Sequence, residues 1–318
     1  MAYLDDVDTL LHQGQQAECR RDFIEALAWY RRCLSVARNL RDTEGESFAL
    51  HHIGIVHQEM GRLAEAKEFF GAAIALERRG DDPITLSGSL YQLGRCHAAA
   101  GEFTEAEKIY REALTMQQRS DFQLGQARTY FAMADLATDR HEFDRAKACI
   151  VNAEQLDCAR DNVQLQETAE SLRLKVGYLE GDFASAARSW LLLLKLTASM
   201  PDHLSLSRSL HLNLFGLIFL NDTPGRFATY LDTLLEVLPI ASEYGPSSDA
   251  GLEEKRRLEI VFGLLRPLVE WARRWENEGR PQPSNWSVEL QAGSHALHMI
   301  SRRLIDLFRF ISSTQEPM

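Results

Sequence analysis

Residues 90–114 read LYQLGRCHAAAGEFTEAEKIYREAL, and their outline is written again at 60–74, MGRLAEAKEFFGAAI, and at 180–194, EGDFASAARSWLLLL. Aligning the three stretches puts Gly61, Gly101 and Gly181 in register, at spacings of 40 and 80 residues. A step of 40 therefore extends the pattern to His141, in RHEFDRAKACIVNAEQL, and back to Arg21, in CRRDFIEALAWYRRCL. The glycine is lost at those two points, but the pattern around them persists.

Two residues after each register point stand Phe23, Leu63, Phe103, Phe143 and Phe183. Three further on come Ala26, Ala66, Ala106, Ala146 and Ala186, and four beyond those come Tyr30, Phe70, Tyr110, Ile150 and Trp190. Small and large apolar residues thus alternate at the i, i+4 spacing of one helix face. Seven residues ahead of three register points sit Gly14, Gly54 and Gly94, inside segments that are also helical in period. Glycine there costs about 1 kcal/mol relative to alanine, so its return at one phase predicts a neighbouring helix too close for a β-carbon. Each unit reads as a helix, a short turn and a second helix. One such pair cannot cover its own apolar face, whereas stacked pairs share a continuous core.

The pattern resembles the tetratricopeptide repeat (TPR) family, whose signature places Leu-Gly in the first helix and Ala, Phe or Tyr, and Ala in the second. Leu90, Leu93, Gly94, Ala100, Gly101, Phe103, Ala106, Tyr110 and Ala113 all satisfy it. The resemblance covers five units from about Leu4 to Leu196, in a 40-residue variant of a repeat that usually has about 34 residues. The extra residues fall in segments such as ARNLRDTEGES and ERRGDDPITLSG, to be absorbed by longer helices or longer turns between units. The resemblance implies an all-α, right-handed α-solenoid of helix-turn-helix repeats. Residues 1–200 would hold the five repeats and 201–240 a degenerate sixth, with C-terminal capping or dimerisation helices over 241–318. Unit four has Ala134 in place of the internal glycine, and unit five has Leu174. In the last segment Trp271, Trp275, Leu304, Leu307, Phe308 and Phe310 carry the dimerisation reading and its implied homodimer.

In that family the first helices of successive units line a concave groove that receives an extended peptide or a helix. Carried over position by position from the internal glycine, the groove residues are Phe48 and His51 in unit two and Tyr91 and Arg95 in unit three. Unit four supplies Arg128, Phe131 and Asp135, and unit five supplies Lys175, with Tyr178 one turn on. Alternating aromatic and basic residues suit an acidic-hydrophobic protein segment, through stacking area and charge-assisted hydrogen bonds. The family's chaperone-tail clamp needs Lys or Asn at matched positions, where unit one has Leu11 and Gln15.

Composition narrows the function classes. The 318-residue chain is 45% hydrophobic and 25% charged, with a net charge of -11, which argues against a general nucleic-acid or anionic-membrane binder. Its apolar runs, SWLLLLKL and LNLFGLIFL, fall far short of the roughly 20 residues that span a bilayer. The acidic start MAYLDDVDTLLHQ lacks the charge pattern of a secretory signal, so a cytoplasmic location is expected. Cys19, Cys33, Cys96, Cys149 and Cys158 are odd in number and far apart, which predicts reduced thiols. The spacings of His51, His52 and His57, and of His295 and His298, identify no complete metal site. No phosphate loop, nucleophile elbow or other catalytic motif is present, and no cofactor is expected. The residues thus favour a scaffold or adaptor that holds a partner in the groove. A peptide- or small-signal-sensing regulator acting through the C-terminal helices is the alternative, and an enzyme of unfamiliar chemistry the remote one.

Overall fold

A computed structural model describes residues 6–198, together with Thr229, Tyr230 and Thr233. The described residues are helical, without a strand. In chain order the helices are α1 (Val7–Cys19), α2 (Phe23–Leu40), α3 (Thr43–Glu59), α4 (Leu63–Glu77), α5 (Pro83–Ala99) and α6 (Phe103–Arg119). They continue with α7 (Gln123–Asp139), α8 (Phe143–Glu154), the short α9 (Asp157–Arg160), α10 (Val163–Glu180) and α11 (Phe183–Ala198). The fold class is an α-solenoid of helix-turn-helix pairs. The expected sixth repeat and terminal helices lie outside the described residues, apart from the three named positions.

Every sequence register point is a left-handed backbone position. Arg21, Gly61, Gly101, His141 and Gly181 have φ of 59°, 73°, 76°, 59° and 94°. Arg41 (φ 56°) and Asp121 (φ 51°) repeat the conformation halfway between register points, in the turns that join one unit to the next. The chain therefore turns about every 20 residues, within units and between them. At six of these turns the backbone closes a Schellman motif, in which the second residue past the helix donates to a carbonyl five positions back, and at the seventh Gly181 N–H donates to Gly177 O. Asp22 N–H donates to Ala17 O, Asp42 to Ala37, Arg62 to His57, Glu102 to His97, Phe122 to Gln117 and Glu142 to Ala137. The residues in excess of a common TPR unit are taken up by helix length: α3, α5, α6 and α7 each have 17 residues.

Aspartates and an asparagine start several helices. Asp22 accepts from Glu25 N–H (3.0 Å), Asp42 from Gly45 N–H (3.0 Å) and Asp82 from Ile84 N–H (2.9 Å). Asn162 caps α10 in the same way, through Gln164 and Leu165. Each satisfies amide donors that the first helical turn leaves open, and each cap contributes about 1 kcal/mol.

The described residues divide into two compact units. One runs to Leu136 and includes Val151–Arg160; the other comprises Ala137–Ile150 and the described residues from Asp161 onward. In the first, α1 packs on α2, α3 on α4 and α5 on α6, and α3 also touches α1 and α5. Its core is layered between pairs: Ala26, Tyr30, Ile53 and Val56 form one cluster, Ala66, Phe70 and Cys96 the next, and Ile74, Leu90, Ile109 and Ala113 another. In the second unit α10 packs on α11, and Leu174, Val176, Tyr178 and Trp190 are buried.

The three internal glycines sit where an aromatic ring from the second helix of the same pair presses on the first. A β-carbon on Gly14 would come 2.3 Å from Tyr30, and one on Gly54 would come 2.8 Å from Phe70. Both distances are far inside contact range, so the close approach expected from the sequence is present. In α10 the contact moves along by three residues: Leu174 occupies the glycine phase, and a β-carbon on Gly177 would lie 3.0 Å from the backbone nitrogen of Ala186. All five cysteines are free, and Cys33, Cys96 and Cys149 are buried. Burial pushes the Cys33 and Cys96 thiols up to about 11, which keeps them protonated and inert at neutral pH.

Candidate functional site

In the first unit, α3 contributes Phe48 and His51, α5 contributes Tyr91 and Arg95, and α7 contributes Arg128, Phe131 and Asp135. Phe48 and Tyr91 are half-buried, and Arg95, Arg128 and Asp135 are exposed. Tyr91 leans on Tyr110 of the second helix, with ring centroids 6.1 Å apart. Arg95 hydrogen-bonds Gln92 (3.1 Å). Among the described residues, neither Arg95 nor Arg128 meets a carboxylate, so both guanidinium charges remain available. Phe131 is only 4% exposed, so its ring is spent on packing.

His51 is held between helices. Its Nδ1 lies 2.8 Å from Ser89 Oγ on α5, and Ser89 donates to Glu77 Oε1 at the end of α4 (2.9 Å). Burial, reinforced by the neighbouring His52 and opposed by Glu18, lowers the His51 ring to about 4. The imidazole is therefore neutral at pH 7, where it orders α3 against α5 rather than offering charge to an acidic ligand.

Beside it lies a second polar cluster that the sequence did not single out. Tyr30 donates to Glu18 Oε2 (2.7 Å), His52 Nδ1 approaches the same oxygen (3.2 Å), and the Tyr30 and His52 rings stack at 5.0 Å. Burial works against ionisation of Glu18, but the His52 and Tyr30 hydrogen bonds outweigh it and hold the carboxyl below its ordinary range. The same burial and the adjacent carboxylate push the Tyr30 phenol far up. Glu77, the acceptor from Ser89, did leave a signal in the sequence. Counting eleven positions past the repeated alanine gives Ala37, Glu77 and Gln117, all buried, so a charged side chain stands at an inward phase.

In the second unit, α10 carries Lys175 and Tyr178. Lys175 pairs with Asp139 at 2.7 Å. Tyr178 is fully buried, packed edge-on against Tyr230 (5.5 Å) and tilted against Phe183 (5.8 Å), so it supplies core rather than stacking surface.

Among the described residues no three His, Cys, Asp or Glu side chains converge as metal ligands. Nor is any helix among them long and apolar enough to cross a membrane.

Two solved structures share the fold. BtubC from P. vanneervenii is 22% identical, with a TM-score of 0.51, the alignment covering 57% of this chain and 76% of that one. The apo form of RapI is 12% identical with a TM-score of 0.56, over 98% of this chain and 77% of that one. At these identities the likeness is one of fold alone. No curated protein matches the sequence. The family described as the MalT-like TPR region matches residues 5–244, in agreement with the repeat, its left-handed turns and its glycine-aromatic contacts. The chain belongs to the MalT-like TPR region family.

Proposed function

We propose that this chain is a protein-interaction module whose first helices receive a peptide or helix from a partner. The reading rests chiefly on Arg95 and Arg128. They are exposed on α5 and α7, pair with no carboxylate among the described residues, and belong to a chain with net charge -11. In a protein that neutralises many of its basic side chains with its own acids, two uncompensated guanidinium groups suit a carboxylate brought by another molecule. Half-buried Phe48 and Tyr91 supply the apolar area that such a segment needs beside its charge. The partner is thus an acidic-hydrophobic segment, and the module acts as a scaffold or adaptor rather than as a catalyst. In this reading residues 1–200 form the binding body, 201–240 a worn sixth repeat, and 241–318 the closing helices.

The test is capture with the full chain and with the Arg95→Glu, Arg128→Glu double variant, whose substitutions are at exposed positions. The parent should retain a defined partner, and the double variant should lose most of it while keeping its helical content. Undiminished capture by the double variant would remove the reading.

A further inference from the structure

Glu18 brings a negative charge close to the helix face that presents Arg95. Leu11, Gln15 and Glu18 share one face of α1, at the i, i+4, i+7 spacing. Gln15 stands one residue past Gly14, as Arg95 stands one past Gly94, so Glu18 lies less than one turn from the phase of the proposed partner surface. In the first unit α1 packs on α3, and α3 touches α5.

The two oxygens of the Glu18 carboxylate are used differently. Oε2 accepts from Tyr30 (2.7 Å) and lies 3.2 Å from His52 Nδ1, so the group is fixed between α2 and α3. Oε1 accepts from no group of the protein and is open to solvent, on a side chain that is 23% exposed. No lysine or arginine among the described residues neutralises it: its basic neighbours in the chain, Arg20 and Arg21, pair with Glu25 and Glu59. Burial opposes ionisation, yet the His52 and Tyr30 hydrogen bonds keep the carboxyl below its ordinary range, so it is charged at neutral pH. Glu18 is thus a positioned anion with one free oxygen.

Resting on the partner reading above, we propose that the bound segment carries both signs of charge, bringing a lysine to Glu18 as well as a carboxylate to Arg95. One free oxygen takes one N–H donor. That suits the point charge of an ammonium better than the fork of a guanidinium, whose two parallel donors need both carboxylate oxygens. The spacing of the two charges follows from the fold. Packed helices lie about 8–10 Å apart, so the two steps from α1 across α3 to α5 span about 16–20 Å. An extended chain advances about 3.3–3.6 Å per residue, which puts the lysine and the acidic residue about four to six positions apart. Phe48 and Ile55, half-buried on the intervening α3, supply apolar area between the two charges. The same carboxylate works against a segment that is acidic throughout, because a like charge brought to Glu18 is repelled.

The test is selection of a random decapeptide library on the immobilised full chain, followed by fluorescence polarisation with the enriched peptides. The parent should enrich an Asp or Glu about four to six positions from a Lys. Replacing that lysine by norleucine should weaken binding about tenfold in the parent, as for loss of a charge-assisted hydrogen bond, and by less than about twofold in Glu18→Gln. Glutamine keeps an acceptor for the Tyr30 hydroxyl. If Glu18→Gln does not fold, carbodiimide coupling on the parent, which joins an amine to a carboxylate in contact with it, should link the peptide lysine to Glu18. The Arg95→Glu, Arg128→Glu variant separates the two readings. Acidic enrichment that depends on those arginines but carries no lysine, a lysine whose contribution survives in folded Glu18→Gln, or coupling only to other carboxylates would overturn the two-signed segment and leave the partner surface standing. Absence of acidic enrichment by the parent, or enrichment unchanged in the arginine variant, would remove the partner surface and this inference with it.

Discussion

A β-carbon on Gly94 would lie 2.5 Å from Cε1 of Tyr110, sixteen residues on in the facing helix. The same separation joins Gly14 to Tyr30 and Gly54 to Phe70, so each of the first three pairs closes on one glycine-aromatic contact. In the fourth repeat the sequence has Ala134 and Ile150 at these two positions, a methyl group and a side chain smaller than a ring. Gly94→Ala should therefore destabilise the chain by about 2–3 kcal/mol through overpacking. Tyr110→Ile in the same chain should return part of that loss, as a coupling energy of roughly 0.5–3 kcal/mol. Gly71→Ala is the control: nothing lies within 4 Å of its β-carbon position, and alanine there should stabilise α4 by about 0.5–1 kcal/mol. Urea unfolding of the parent, of Gly94→Ala, Tyr110→Ile and their double variant, and of Gly71→Ala measures all of these.

The left-handed turns make a second prediction. Arg21, Arg41 and His141 hold φ of 59°, 56° and 59°, a conformation that costs an L residue about 1–2 kcal/mol. Glycine carries no such penalty but loses more backbone entropy. Arg41→Gly and His141→Gly should each raise stability by a net ~0.5–1 kcal/mol, whereas Gly101→Ala, at φ 76°, should lower it by about 1 kcal/mol. Thermal unfolding monitored by far-UV circular dichroism gives the sign.

Ser89 links two groups with opposite pH signatures, lying 2.8 Å from His51 and 2.9 Å from Glu77. Glu77, raised to about 7, binds its proton more tightly when folded. Its contribution to stability is present below its unfolded value of about 4.5 and is lost as pH rises through 7. His51, lowered to about 4, behaves the other way: its contribution is present above about 6.5 and is lost as pH falls toward 4. Relative to the parent, Glu77→Gln should gain on the order of 2–3 kcal/mol in going from pH 5 to pH 8. His51→Gln should lose stability relative to the parent over the same rise. Denaturant titrations at the two pH values test the pair, and parallel curves for parent and variants would show that neither residue titrates as described.

The repeat, the helix pairs and the glycine-aromatic contact were legible because each is written several times at one phase, and repetition separates packing from chance. The turns were only partly legible. Gly61, Gly101 and Gly181 announce a left-handed residue, but Arg21, Arg41, Asp121 and His141 adopt it with side chains that give no such signal. The half-period of about 20 residues was hidden for that reason. The binding surface was less legible still. The family pattern fixes which residues stand at a given phase, yet Tyr178 is buried beneath Phe183 and Tyr230, and His51 turns inward to Ser89. Whether a side chain at that phase faces a partner depends on how the next helices cover it, which no single helix encodes. Glu77 looks like an ordinary glutamate in a charged segment, and only its phase behind Ala66, Phe70 and Ala73 marks it as inward.

The claim that a partner is read by the first helices around Tyr91 and Arg95 is tested most directly by oxidative footprinting of the full chain with its captured partner. Protection should fall on the Phe48 and Tyr91 side chains and leave Ile24, 81% exposed on the second helix α2, as reactive as in the free chain. Protection of Ile24 with Phe48 and Tyr91 unchanged would contradict the account.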